Sequence, residues 1–458
     1  MRNRLRMGSA LLLGLALVLL AEADAPGQAV QLQPGGRFGF AWPNFTGRPG
    51  AMTPQQFVQS FEAAMHHPNT YRMWIKSGTD IRRLNPAGYY FKHLNMTTIE
   101  AGTPGDHPDF DYVIRNRPEW VIRDRNGNPA YLFGGGVMVD FANDEYLDWV
   151  LGSWLPNQYL DSTDRDPSAV TWHVHDNGHF YARSINCAAG DAVCARYTTD
   201  EGVQTAWIHM LDRFKAAWPN KRIVISSGPL TYRTVAHQMA VFRRIYAHAD
   251  GYYSEYLTND HAYWGSRPND EKRAALLVTM QLASWLAAND KVFFPNLGLG
   301  DGIEPTQTEV DYAWAFFGLM REGDRQFFSR VIKDPQAMWQ PRKYPEMDLV
   351  MGQPVEAATE ISPSVFRRSF ERAIAYVNIS DRPVSIALPP GPTYKNSRGQ
   401  TVGSPLILES FKGLTLYERA ASTSAPLPER RRPRRRDAHG RRRDGTLPGK
   451  AIEPIYAA

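Results

Sequence analysis

From residue 37 to residue 331 the chain alternates short apolar, β-branched and aromatic runs with longer stretches of 3.6-residue apolar period. The short runs are Arg37–Pro43, Tyr71–Ile75, Ala87–Asn95, Ala169–Asp176, Lys221–Ser227, Asp250–Glu255, Lys291–Asn296 and Asp324–Val331. Strands joined through helices run parallel, because each crossover returns the chain to the same end of the sheet. Eight such units predict an α/β fold, a (β/α)8 TIM-like barrel spanning residues 30–343.

Helix signals lie between the strands. Thr53 is a candidate N-cap for 55–66, and Asn143 caps a helix with Asp144 and Glu145 in its first turn. Thr198-Thr-Asp-Glu201 reads as a capping box. The helix behind it presents Val203, Ala206, Trp207, Met210, Leu211, Phe214 and Trp218 on one face. Further helices are expected over Val235–Ala247, Glu271–Ala288 and Glu309–Met320. An insertion after the third strand carries an Asn126-Gly127 turn, a hairpin signal.

After residue 345 the pattern changes. Val365–Ser369, Arg372–Asn378, Val384–Ala387, Leu406–Leu408 and Gly413–Glu418 are strand-like pieces separated by turn residues, with no helix between them. They predict a small antiparallel β domain over residues 344–420.

Both ends read as lying outside the fold. Arg2, Arg4 and Arg6, the apolar run Ala10–Leu20 and Ala21-Glu-Ala23 make a signal peptide over residues 1–23, cleaved near Ala23. The expected location is therefore secreted or periplasmic, and no later run has membrane-spanning length. Residues 421–458 hold ten Arg and Lys against four Asp and Glu and few large apolar residues, the composition of a disordered basic tail. That tail contributes +6 and residues 1–24 contribute +1 to a total of +5, which leaves −2 for residues 25–420. The body therefore lacks the basic excess of a nucleic-acid binder. The tail reads as a solvated extension or as a contact for anionic envelope or polysaccharide.

Two strands end on an acid. Val170, Trp172, Val174 and Asp176 share one face of the fourth strand, and Gly251, Tyr253 and Glu255 share one face of the sixth. Acids at the C-terminal ends of barrel strands read as catalytic. A pair of them fits glycoside hydrolysis, at the separation of either a retaining or an inverting enzyme. Glu255, among Tyr252, Tyr253 and Tyr256, suits the general acid. Other candidates at the barrel mouth, as carbohydrate-binding residues, are Trp42, Lys76, His93, Asp140, Asn177, Ser227, Tyr253 and Asn296. No cofactor is required.

Cys187 and Cys194 are the only cysteines, and a close pair in an exported chain reads as a disulfide. His173, His175 and Asp176 open a competing reading, a metal-dependent hydrolase or deacetylase. A third reading is an inert barrel that binds glycans through its aromatic residues. Asn44, Asn95 and Asn378 each begin a glycosylation triplet.

The fourth strand ending in Asp176-Asn177 and the sixth, Asp250-Gly-Tyr-Tyr-Ser-Glu255, resemble the (β/α)8-barrel glycoside hydrolases of the hypothetical glycosyl hydrolase group. These are similar to the endo-α-1,4-polygalactosaminidases. Arg117-Pro-Glu-Trp120, Asp124-Arg-Asn-Gly-Asn-Pro129 and Val139-Asp-Phe-Ala-Asn143 fit the same pattern. The resemblance covers most of residues 70–418 and implies Asp176 as nucleophile and Glu255 as acid/base. The fourth strand departs from it by lacking the Asp-Gly that opens the sixth.

Overall fold

β-Branched and aromatic side chains pack well on a pleated surface, and every one of the eight apolar runs forms a strand. The structure, a computed structural model, describes residues 38–41, 73–75, 89–101, 107–124, 126–132, 136–157, 172–175, 178–182, 196–227, 234–254, 268–297, 306–322, 328–331 and 345–418. All of these belong to one compact unit.

In chain order the first strands are β1 (Phe38–Ala41), β2 (Met73–Ile75) and β3 (Tyr89–Leu94). The insertion supplies β4 (Thr98–Ile99), β5 (Tyr131–Leu132) and β6 (Gly136–Met138), a small antiparallel sheet of order β4-β6-β5. Then come β7 (Trp172–His175), β8 (Arg222–Ser226), β9 (Gly251–Ser254), β10 (Val292–Leu297) and β11 (Phe328–Val331). The main sheet has eight strands in the order β1-β11-β10-β9-β8-β7-β3-β2, and every ladder in it is parallel. Its edge strands β1 and β2 approach within 8 Å Cα to Cα, with no ladder between them among the described residues.

The helices are α1 (Phe110–Asn116), α2 (Asp144–Trp149), α3 (Asp200–Ala217), α4 (Val235–Tyr246), α5 (Asn269–Ala288) and α6 (Gln307–Met320). Asn143 caps α2 as expected, its side chain accepting from the Tyr146 amide. At α3 the cap is Thr199, one residue beyond Thr198, because Thr199 Oγ1 accepts from the Gly202 amide. The two-way capping box occurs instead at α6, between Thr306 and Glu309. The apolar face of α3 is buried as its spacing predicts, with Val203, Ala206, Trp207, Met210, Leu211 and Phe214 inside. Asn126-Gly127 does form a turn, with Gly127 at φ +81° and the Asp124 and Asn128 backbones bonded across it.

After residue 345 the chain adds β12 (Thr359–Ser362), β13 (Val365–Ser369), β14 (Ala373–Asn378), β15 (Val384–Ile386), β16 (Leu406–Leu408) and β17 (Lys412–Tyr417). β12-β13-β14-β17 form one antiparallel sheet and β15-β16 another. The fully exposed β12 carries no alternation strong enough to mark it in the sequence. α6 packs against β14 and β17 on one side and touches α5 and β10 on another. Residues 310–320 of α6 are all buried, as a helix apolar on every side must be.

Asn95 and Asn378, read as glycosylation triplets, are both fully buried. Asn95 Oδ1 accepts from the Thr97 amide and hydroxyl at 3.0 and 2.8 Å. Asn378 Oδ1 does the same for Ser380, at 2.9 and 2.6 Å. The Asn-x-Ser/Thr pattern serves here as a local side-chain-to-backbone turn. Among the described residues no helix is long and apolar enough to cross a membrane.

Trp207 joins α3 to the sheet, touching His175, Phe180 and Phe141 with ring centroids 4.8, 5.2 and 5.7 Å away. Trp207→Ala is expected to cost about 3–5 kcal/mol of stability in a urea unfolding measurement. A loss below about 1 kcal/mol would be incompatible with α3 seated on the sheet in this way.

Candidate active site

Side chains alternate across a strand, so each strand of the main sheet feeds two faces. His173 and His175, both fully buried, point to α3. The His173 ring meets Phe214 edge-on at 5.1 Å, and the His175 ring meets Trp207 at 4.8 Å. His175 Nε2 also accepts from the Met96 amide at 3.0 Å. In register with these residues, Ile223, Ile225, Tyr252 and Phe293 join the same helix-side core. The alternate residues Val174, Val224, Tyr253 and Phe294 are buried on the opposite face.

Both imidazoles thus face the helix layer, and Asp176, the third residue of the metal-dependent reading, lies outside the described residues. No group of three or more metal-ligating side chains occurs among the described residues.

Hydroxyls tie the C-terminal end of β8 to β9 and α4. Tyr252 donates to the Ser227 carbonyl at 2.7 Å, and the Ser227 and Tyr246 hydroxyls lie 2.7 Å apart. Burial raises the pKa of both tyrosines above the ordinary phenol value. Ser227, a mouth candidate in the sequence, is thus a structural link between β8, β9 and α4. Tyr253 is 1% exposed, in register with Ser226 and Phe294. His93 lies in register with Val174 and Asn296 with Ser329.

Just past β7 the Gly178 amide donates to the Ser226 carbonyl at 2.7 Å. A Cβ at Gly178 would lie 2.8 Å from that oxygen and 2.5 Å from Ile225 Cγ2. Only glycine lets the chain lie this close to the end of β8.

The Asp250-Gly251 pair that opens β9 has an architectural role. Asp250 accepts from Lys215 Nζ at 2.9 and 2.7 Å and from the Ile223 amide at 2.8 Å. A Cβ on Gly251 would sit 2.3 Å from the Val292 carbonyl oxygen. The motif therefore seats the N-terminal end of β9 between β8 and β10.

Asp140 is likewise used by the fold. Its Oδ1 accepts from the Tyr197 hydroxyl at 2.6 Å and from Arg196 at 2.9 Å, tying the turn before α2 to the segment that opens α3. Burial, then the Asp140 charge, raises the Tyr197 pKa. The sequence placed Asp140 at a strand end but held no signal for Arg196 and Tyr197, more than fifty residues away.

Asp176, Glu255, Trp42, Lys76, Asn177, Cys187 and Cys194 lie outside the described residues, as do residues 1–23 and 421–458.

No protein family matches the sequence, and no curated protein does either. Solved structures similar to this chain include Eubacterium rectale Amy13B, 8% identical over 84% of this chain and 96% of that one, TM-score 0.45. Another is the glycoside hydrolase domain of PelA from Pseudomonas aeruginosa, 12% identical over 66% and 99%, TM-score 0.37. A third is an Anoxybacillus alpha-amylase, 7% identical over 84% and 98%, TM-score 0.43.

Gly251→Ala is expected to lower the thermal midpoint, with a cost of about 1–3 kcal/mol from the forced separation of β9 and β10. Unchanged stability in that variant would refute the close approach at Val292.

Proposed function

We propose that the chain is an exported glycoside hydrolase acting on an oligo- or polysaccharide. In this reading the sheet closes into a (β/α)8 barrel, Glu255 is the acid/base and Asp176 the nucleophile. The observation that carries the reading is the relation of β7 to β9. Both run in the same direction with β8 alone between them, so both end at the same edge of the sheet. Asp176 and Glu255 are the residues that follow those ends in the sequence.

Strands two places apart are separated by about 9–10 Å, within reach of carboxyls projecting toward one another. Val174 and Tyr253, each two residues before an acid, lie on the face away from the helices. That parity supports acids directed to the interior of the barrel mouth.

The chemistry follows in two steps. Glu255 gives its proton to the glycosidic oxygen as the Asp176 carboxylate attacks the anomeric carbon, and the carbon–oxygen bond to the leaving sugar breaks. Glu255, now a carboxylate, takes a proton from water; the water oxygen attacks the anomeric carbon and frees Asp176. The anomeric configuration is retained.

Asp176→Asn and Glu255→Gln are each expected to lower the release of reducing ends at least 100-fold, about the lower bound for losing an acid/base group. Circular dichroism and the thermal midpoint should not change. Proton NMR of the first product should show retention, whereas inversion would reassign Asp176 as the base that activates water. Near-normal turnover in either variant removes that residue from the mechanism. Glycan binding that survives both changes, with no reducing ends from the native chain, supports the inert binding barrel instead.

A further inference from the structure

Asn95 carries a carboxamide of which the fold uses only half. The residue follows β3 at the edge of the sheet where β7 and β9 also end, because the three strands run in the same direction. Leu94 before it and Met96 after it both belong to the helix-side core, so Asn95 between them turns to the other face, that of Val174.

The segment is firmly held. His175 Nε2 takes the Met96 amide at 3.0 Å, the Tyr146 hydroxyl donates to the Met96 carbonyl at 2.8 Å, and the Val139 amide donates to the Thr97 carbonyl at 3.2 Å. The Thr97 amide can only donate, so the carboxamide must turn its oxygen to Thr97 and its nitrogen away. Asn95 is fully buried, and no acceptor among the described residues reaches Nδ2. A buried donor without a partner costs more than a typical hydrogen bond contributes. A residue needed only for the turn would be served by Ser, which leaves no N–H2 behind.

Solvent and substrate do not reach an enclosed donor, so its acceptor is to be sought in the chain itself. The register points to one. β3 and β7 pair His93 with Val174 and Leu94 with His175, and the residues next in sequence are Asn95 and Asp176. Neighbouring strands lie about 4.8 Å apart, a span that a carboxamide and a carboxylate bridge with one hydrogen bond.

We propose that Asn95 is a positioning residue for Asp176, donating from Nδ2 to the carboxylate oxygen that does not attack. This rests on Asp176 being the nucleophile of the proposed hydrolase. Held at one oxygen by a fixed donor, the carboxylate aims the other at the anomeric carbon. When that oxygen forms its bond to the sugar, the held oxygen becomes the ester carbonyl and still accepts from Nδ2. The donor therefore serves both steps, and it acts on the reaction only through Asp176.

Two measurements on the full chain test it. The first is kcat and KM for release of reducing ends from a polysaccharide that the native chain cleaves. Asn95→Asp keeps an oxygen for both Thr97 bonds and puts an acceptor in place of the donor. It is expected to lower kcat about 10- to 100-fold, the scale of a misplaced reacting group, with KM within about twofold of native. Asn95→Ser, which keeps a hydroxyl for the turn, should do the same and serves if Asn95→Asp does not fold. The second is a urea-unfolding cycle of Asn95→Ser, Asp176→Ala and the double variant, which needs no activity. The double variant is expected to shift the unfolding equilibrium at least about fivefold less than the product of the single shifts, because each single change strands a partner that the double change removes. Native kcat in Asn95→Asp or Asn95→Ser, or single shifts that multiply without coupling, overturns the positioning role. Coupling in a chain that hydrolyses no polysaccharide overturns the role in catalysis and the hydrolase reading together. Hydrolysis that is lost in Asp176→Asn, with no coupling to Asn95, overturns the role of Asn95 alone.

Discussion

A parallel sheet buried on both faces leaves no strand residue free to choose its side. Each strand hands alternate residues to the helix layer and to the opposite face, and hydrogen bonding to both neighbours locks the choice. In β7 this sends His173 and His175 to Phe214 and Trp207 on α3, and leaves Val174 to the other face. In β9 it sends Tyr252 to stack on Phe293 at 5.5 Å while Tyr253 goes the other way. A one-residue slip in either strand would carry polar imidazoles or a valine to the wrong side and strand them. The parity of Val174 and Tyr253 is therefore enforced by core packing well inside the sheet.

α6 imposes the second constraint. Its residues 310–320 are buried on all sides, so at the C-terminal end side chains rather than water must satisfy the last carbonyls. At its C-terminal end Arg368, itself 2% exposed, donates to the Leu319 carbonyl at 3.0 Å and pairs with Glu322 at 2.9 Å. A guanidinium keeps its charge at every physiological pH and favours the negative end of the helix dipole. At the N-terminal end Thr306 and Glu309 cap each other's backbone, and Glu309 stands in the first turn, the favoured place for an acid. One end of the helix is thus joined to the antiparallel sheet by a permanent charge, and the other is closed by its own capping residues.

What the sequence made legible follows from which interactions are local. All eight parallel strands, Asn143 as a cap and the buried face of α3 could be read, because each is written within a few residues by period and cap chemistry. β12 escaped because its residues face solvent and show no alternation. The cap at Thr199 escaped because Thr198 and Thr199 are equivalent on paper, and only the Gly202 amide selects between them. The sequence around Asp140 carries no sign of Tyr197 and Arg196, and that around His173 and His175 no sign of Phe214 and Trp207 on α3. Contacts of long sequence separation carry no short-range trace, and they decide whether a polar residue is spent on the fold or left for chemistry.

The same distinction divides the motif that opens β9. In Asp250-Gly-Tyr-Tyr-Ser-Glu255 the first two residues seat the strand: the carboxylate is taken by Lys215 and the Ile223 amide, and the glycine admits the Val292 carbonyl. Asp-Gly at that position is a requirement of the sheet and says nothing by itself about the reaction. β7 lacks it and is held by other means, through two histidine rings against α3, an imidazole nitrogen on the Met96 amide and the Gly178 amide on Ser226. The departure at β7 is therefore a different solution to the same anchoring problem. Chemical similarity between the two strands has to be sought only at their far ends, where each gives way to an acid.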